Sequence, residues 1–212
     1  MVFLRSETER DEQLRSWNNA VEDFLKSDSE WLWSTHNDVV VDPKALIRLM
    51  SWNQPFVSGL VFMRQSPVLP HVWSSYDKQE DKQFVLRIKD VYDWFMKHMD
   101  WIKSGPFVME PRPEDALVEI GFTSTSCTLI HRSVLEKIEK PWFRQHGYGV
   151  GGEDFYFFNK LRDAGFRGYM DRSCVSEHIC TDVGPSSIDF VMWYQDSQYM
   201  NTGQKNVISS AS

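Results

Sequence analysis

The stretch Trp31-Leu32-Trp33-Ser34-Thr35-His36-Asn37-Asp38-Val39-Val40-Val41-Asp42-Pro43-Lys44-Ala45-Leu46 decides the fold. The run from Glu30 to Thr35 has the apolar and aromatic side chains of a buried strand. A polar triplet, His36-Asn37-Asp38, interrupts before a second apolar burst, Val39-Val40-Val41. Buried polar groups need partners. The triplet therefore reads either as a strand end with Asp38 facing a metal or ligand, or as a surface turn built on Asn-Asp chemistry. Asp42-Pro43 then opens a helix, with Asp as its cap and Pro at its first position. Ala45, Leu46, Leu49 and Met50 form the apolar stripe of that helix. A strand, a polar edge and a helix in this order are one unit of an α/β domain.

Toward the N-terminus, Leu14, Trp17, Val21, Phe24 and Leu25 fall at helical spacing, and Ser27-Asp28-Ser29 ends that helix. Val2-Phe3-Leu4 reads as a short strand. Toward the C-terminus, Phe56 to Met63 is a strand in which Gly59 marks close approach of another backbone or a ligand. Residues 64–80 form a loop whose Trp73 and Tyr76 suit stacking on a sugar or base, or packing on the domain. Phe84 to Trp101 reads as helix, and Leu117 to Phe122 as strand. Thr123-Ser124-Thr125-Ser126-Cys127-Thr128 follows, small hydroxyl side chains that either leave room for a ligand or pack the core. Ser133 caps a helix, and Ser186 to Tyr199 has helical spacing. Strands and helices alternate, which predicts an α/β sandwich with a mainly parallel sheet and ligands at the C-terminal ends of its strands.

A second polar region lies at Gly147-Tyr148-Gly149-Val150-Gly151-Gly152-Glu153-Asp154-Phe155-Tyr156-Phe157-Phe158. A glycine run delivers two adjacent carboxylates to the start of an aromatic helix that stops at Gly165. Glycine serves where backbone approaches a ligand or takes positive φ. A carboxylate at a helix start is favoured in its ionised form by the dipole and can serve as a base or a metal partner. The same pair reads equally as an acidic helix cap. A short strand, Arg167 to Met170, follows, and the segment closes on His178, which alone reads as a structural histidine.

With 212 residues, the chain suffices for one sizeable domain, read as residues 1–200, followed by a polar flexible tail at 201–212. Its formal charge of −7 argues against general binding to nucleic acid phosphates. It is compatible with an anionic nucleotide bridged by a divalent metal. Three cysteines without C-x-x-C spacing read as buried free thiols in a reducing compartment. With no apolar run of about 18 residues and no signal-peptide pattern, a cytoplasmic protein is expected.

Three blocks together resemble the GT-A glycosyltransferases, in particular inverting, family-2-like, nucleotide-sugar-using enzymes. They are Trp31 to Leu46, Gly121 to Arg132, and Gly151 to His178. Their order and spacing agree with the family from about Leu14 to Ile179. The resemblance implies a GT-A-like, Rossmann-like sheet sandwiched by helices, and transfer of a sugar from a nucleotide-sugar donor to a hydroxyl acceptor. A divalent metal, Mn²⁺ or Mg²⁺, would bridge the donor diphosphate. By resemblance Asp38 and His178 are the metal ligands, and His36, Asn37 and Asp38 form the cofactor-binding triplet. Asp154 is the general base, assisted by Glu153, and Trp73, Gly152 and Glu153 contact the acceptor. The chain departs from the family in carrying His36-Asn37 where an acidic residue usually leads. It also begins without the strand-helix-strand unit that builds much of the nucleotide pocket. That departure implies a partner chain or homo-oligomer completing the pocket. The alternative is a non-catalytic GT-A-like binding or assembly module. A third reading, a metal-dependent hydrolase, has too sparse a ligand set.

Overall fold

A computed structural model describes residues 10–63, 69–73, 88–98, 108–145, 152–178, 191, 194–195 and 197. Along the chain the elements are α1 (Arg10–Lys26), β1 (Trp31–Thr35), β2 (Val39–Val40), α2 (Ala45–Met50), β3 (Phe56–Val61), β4 (Val72–Trp73) and α3 (Ile88–Lys97). Then come β5 (Leu117–Ile120), β6 (Phe122–Thr123), β7 (Cys127–His131), α4 (Arg132–Lys137), α5 (Glu153–Asp163) and β8 (Gly168–His178).

All six residues of β3 are buried, because this strand is central and covered on both faces. Successive side chains of a strand point to opposite faces. Phe56, Leu60 and Phe62 accordingly join a core built with Trp17, Val21 and Phe24 of α1, Val91 and Phe95 of α3, and Phe157 and Leu161 of α5. Val57 and Val61 join a smaller core under Ala45 and Leu49 of α2, with Trp33, Leu129 and the two buried thiols Cys127 and Cys174. Gly59 lies between those thiols: a Cβ there would stand 2.8 Å from Cys127 Sγ and 2.8 Å from the Cys174 carbonyl oxygen. The close approach expected at Gly59 is thus made by this pair. Both cysteines are free, and Cys180 falls outside the described residues.

The sheet runs β1-β7-β3-β8-β2, with β5 also on β8, and β4 pairs β6 in a separate ribbon. Helices cover both of its faces, but the sheet is mixed and mainly antiparallel, which corrects the expected mainly parallel one. Among the described residues only β3 and β8 pair in parallel, whereas β7 runs against both β1 and β3, and β2 and β5 run against β8. The alternation of helical and strand periods does not encode which strand pairs with which, so it suggested crossover units where long-range antiparallel insertions occur. β1, β3 and β8 nevertheless all point one way, and their C-terminal ends share one edge of the sheet.

Several local readings are adjusted. The helix after Asp42-Pro43 begins at Ala45; Asp42 Oδ1 accepts from the Lys44 N–H at 2.7 Å and makes the lead-in turn instead of the cap. His131, not Ser133, caps α4, its ring nitrogen accepting from the Ser133 N–H. The strand after Gly165 extends to His178, far past Met170, because β2, β3 and β5 all supply partners. Gly152 has φ −80° and open space where a Cβ would stand, so neither positive φ nor close approach requires it. The readings at 2–4, Tyr76, Gly147 to Gly151 and 201–212, and most of 186–199, lie outside the described residues. Among the described residues no helix is long and apolar enough to cross a membrane.

Candidate active site

Among the described residues, His36, Asp38, Glu153, Asp154 and His178 gather at the edge where β1, β3 and β8 end. His36 follows β1, and its N–H donates to the Ser126 carbonyl at 3.3 Å, which ties this strand end to the turn before β7. Val39 of β2 lies opposite His178 in the β2–β8 register, so Asp38 sits one position from the partner of His178. The His178 Nδ1–H donates to the Phe62 carbonyl. A carbonyl can only accept, so this bond fixes the tautomer and leaves the Nε2 lone pair available, which is the arrangement of a metal-ligating imidazole. Asp38 and His178 are two donors; among the described residues no group of three or more His, Cys, Asp or Glu stands ready to hold an ion.

The imidazole of His36 is pushed toward its neutral form, chiefly by burial, then opposed by Asp38, reinforced by His178 and opposed by Glu153. These groups therefore share one electrostatic neighbourhood. Its Nδ1 lies 3.1 Å from Ser126 Oγ, while its Nε2 is buried without a hydrogen-bond partner. Gln13, Ser16 and Trp17 of α1 enclose, with Thr35, His36, Asn37 and Asp38, a hollow of about 100 Å³. Ser126 Oγ also meets Ser124 Oγ, and the Ser126 N–H donates to Ser124 Oγ at 3.2 Å.

The same turn reaches the second acidic region. Thr125 donates to Asp154 Oδ1 through its hydroxyl at 2.6 Å and its N–H at 3.3 Å. Gly152 is the N-cap of α5 and Glu153 and Asp154 its first residues, as the glycine-acid pattern predicts. The pK of Asp154 departs from the expectation that a helix start keeps it ionised. Burial, then the neighbouring Glu153 charge, raise it to about 7 against the lowering effect of the two Thr125 bonds.

The structure thus brings together His36, Asp38, His178, Glu153 and Asp154, with Asn37 exposed on the rim. Trp73 belongs to β4, is half-buried, and packs its ring against His71 and Phe122, each 4.7 Å away between centroids. Sequence reasoning missed His71, whose ring is driven down to about 4 by burial and then by His178 and His36. It stands in a stretch without periodicity, and only the fold carries it to this edge. Thr125 and Ser126 were visible as a hydroxyl run with two meanings; the structure shows them buried and bonded to the candidate residues.

No family model and no curated protein matches the chain. Among solved structures it is similar to the crystal structure of A197 from STIV, a viral protein, with a TM-score of 0.51 and 19% identity over 83% of this chain and 72% of that one. A likeness at that identity concerns the fold alone.

Proposed function

We propose that this chain is a metal-dependent glycosyltransferase that moves a sugar from a nucleotide-sugar to a hydroxyl acceptor with inversion. The observation that carries the reading is Asp154. It is a half-buried carboxyl whose pK is raised to about 7, on the sheet edge that also carries Asp38 and the oriented His178. A general base works best with a pK near the operating pH. In this reading an acceptor hydroxyl is held against Asp154 and Glu153. Asp154 takes its proton as the oxygen attacks the anomeric carbon, and the nucleoside diphosphate departs. Asp38 and His178 would hold a divalent ion, which when bound offsets the charge developing on the leaving diphosphate. His36, kept neutral, adds no charge to compete with that ion.

The test is a screen of nucleotide-sugars and simple hydroxyl acceptors, with and without Mn²⁺, reading the product anomer by NMR. Metal-dependent transfer is expected, with loss of about a thousandfold or more in Asp154→Asn and in Asp38→Ala. Full activity in either variant would overturn that residue's role. Calorimetry showing no nucleotide binding with Mn²⁺ would overturn the reading as a whole.

A further inference from the structure

Asp154 does not hold its own position. Its only described hydrogen-bond partner is Thr125, which approaches Oδ1 from the hydroxyl and from the backbone N–H. Thr125 is itself immobilised, at 1% exposure. Its carbonyl accepts the Ser34 hydroxyl of β1 at 2.6 Å and the Thr128 hydroxyl of β7 at 3.3 Å. Every polar atom of this residue is therefore committed, two upward to the carboxylate and one back to the sheet. Two donors converging on one oxygen leave the other oxygen as the proton acceptor. They also fix the rotation of a carboxylate that otherwise turns freely.

We infer that Thr125 is the positioning residue of this site: it locks Asp154 through Oδ1 so that Oδ2 meets the acceptor hydroxyl, and Ser34 braces it from the sheet. The inference rests on the reading of Asp154 as the base. Thr125 touches no reacting atom, so it positions and does not catalyse. Donors to a carboxylate favour its charged form, so the same two bonds also set where Asp154 titrates. The charged group beside Asp154 on its own helix is Glu153, and His36 across the gap couples to Glu153 in turn. Thr125 faces it with a neutral hydroxyl and a backbone N–H, and the Ser34 hydroxyl is spent on the Thr125 carbonyl.

The experiment follows the Asp154 carboxyl by carbon-13 NMR through a pH titration of wild type, Thr125→Val, Thr125→Ser and Ser34→Ala, with Asp154→Asn for assignment. Thr125→Val, nearly isosteric, should raise the Asp154 midpoint by about one pH unit. Thr125→Ser should restore it, and Ser34→Ala should move it less in the same direction. In transfer assays the acid limb of the pH–rate profile should shift equally. Above both midpoints, where Asp154 is ionised in either protein, kcat of Thr125→Val should remain about tenfold low with KM near wild type. An unchanged midpoint, or full recovery of kcat at high pH, would overturn the inference. Should Thr125→Val fail to fold, wild type still decides: the Thr125 amide resonance must titrate with the Asp154 midpoint, and a flat trace refutes the contact. Absence of transfer with every donor would instead overturn the reading of Asp154 as base, while the titration arm still reports whether Thr125 holds the carboxylate.

Discussion

At the scale of the residue, the informative positions are those where a side chain's environment opposes its ordinary chemistry. Asp154 was legible as an acidic residue at a helix start, since glycine, two carboxylates and an aromatic run announce that geometry locally. Its raised pK was not legible, because the burial that raises it, and the Thr125 bonds that oppose that rise, are set by elements remote in sequence. Gly59 is a parallel case. A glycine inside a strand announces close approach, but that two cysteines from β7 and β8 fill the space is a property of the sheet order. The expected outcome for Gly59→Ala follows from the 2.8 Å approach to a backbone oxygen, which cannot swing aside as a flexible side chain would. The variant should lose about 2 kcal/mol or more in denaturant unfolding. Replacing Cys127 with Ala in the same chain should recover only part of that loss, because the Cys174 carbonyl still blocks the methyl.

At the scale of the element, the helices were legible from apolar spacing, and the strands from their composition; their ends and partners were not. The C-terminus of α1 shows why. A helix end leaves carbonyls without partners, and the sequence there offers only a Ser-Asp-Ser stop signal. Ser27 donates to the Phe24 carbonyl from its hydroxyl at 2.7 Å and its N–H at 3.0 Å, and the Arg132 guanidinium donates to the carbonyls of Phe24 at 3.1 Å, Leu25 at 3.2 Å, Ser27 at 2.6 Å and Ser29 at 2.9 Å. It also lies 4.9 Å from the Phe24 ring centroid. This residue begins α4 directly after β7, so α1 is clasped to the central sheet through it. Arg132→Ala should therefore cost about 3 kcal/mol, far beyond a surface substitution, because several carbonyls and a cation–π contact are lost together. Arg132→Lys should recover little, since one ammonium cannot span four carbonyls arranged for a planar fork. Hydrogen exchange should show the last turn of α1 opening first.

At the scale of the whole molecule, two groups of the candidate site link folding to pH with opposite sign, and their balance is testable without any substrate. Asp154 titrates at about 7 in the folded chain against 3.8 for an ordinary carboxyl, so the folded state holds a proton that the unfolded state has released. The stability contributed by that proton is full below 3.8 and is lost as pH rises through about 7. His71 titrates at about 4 against 6.5, so the unfolded state holds the extra proton. Its contribution is full above 6.5 and is lost as pH falls toward about 4. Between these limits the two slopes, each up to about 1.4 kcal/mol per pH unit, run against one another. Asp154→Asn removes one of them and keeps an oxygen to accept from Thr125. The variant should be more stable than wild type by about 1–3 kcal/mol at pH 8. That advantage should shrink steadily on acidification and vanish near pH 4. Urea unfolding of both proteins across this range measures the difference directly, and other titrating groups cancel between them. A variant equal to wild type at pH 8 would mean that Asp154 ionises there without penalty. The burial that makes it a neutral-pH base would then be absent, and the site would lose the property on which its proposed chemistry depends.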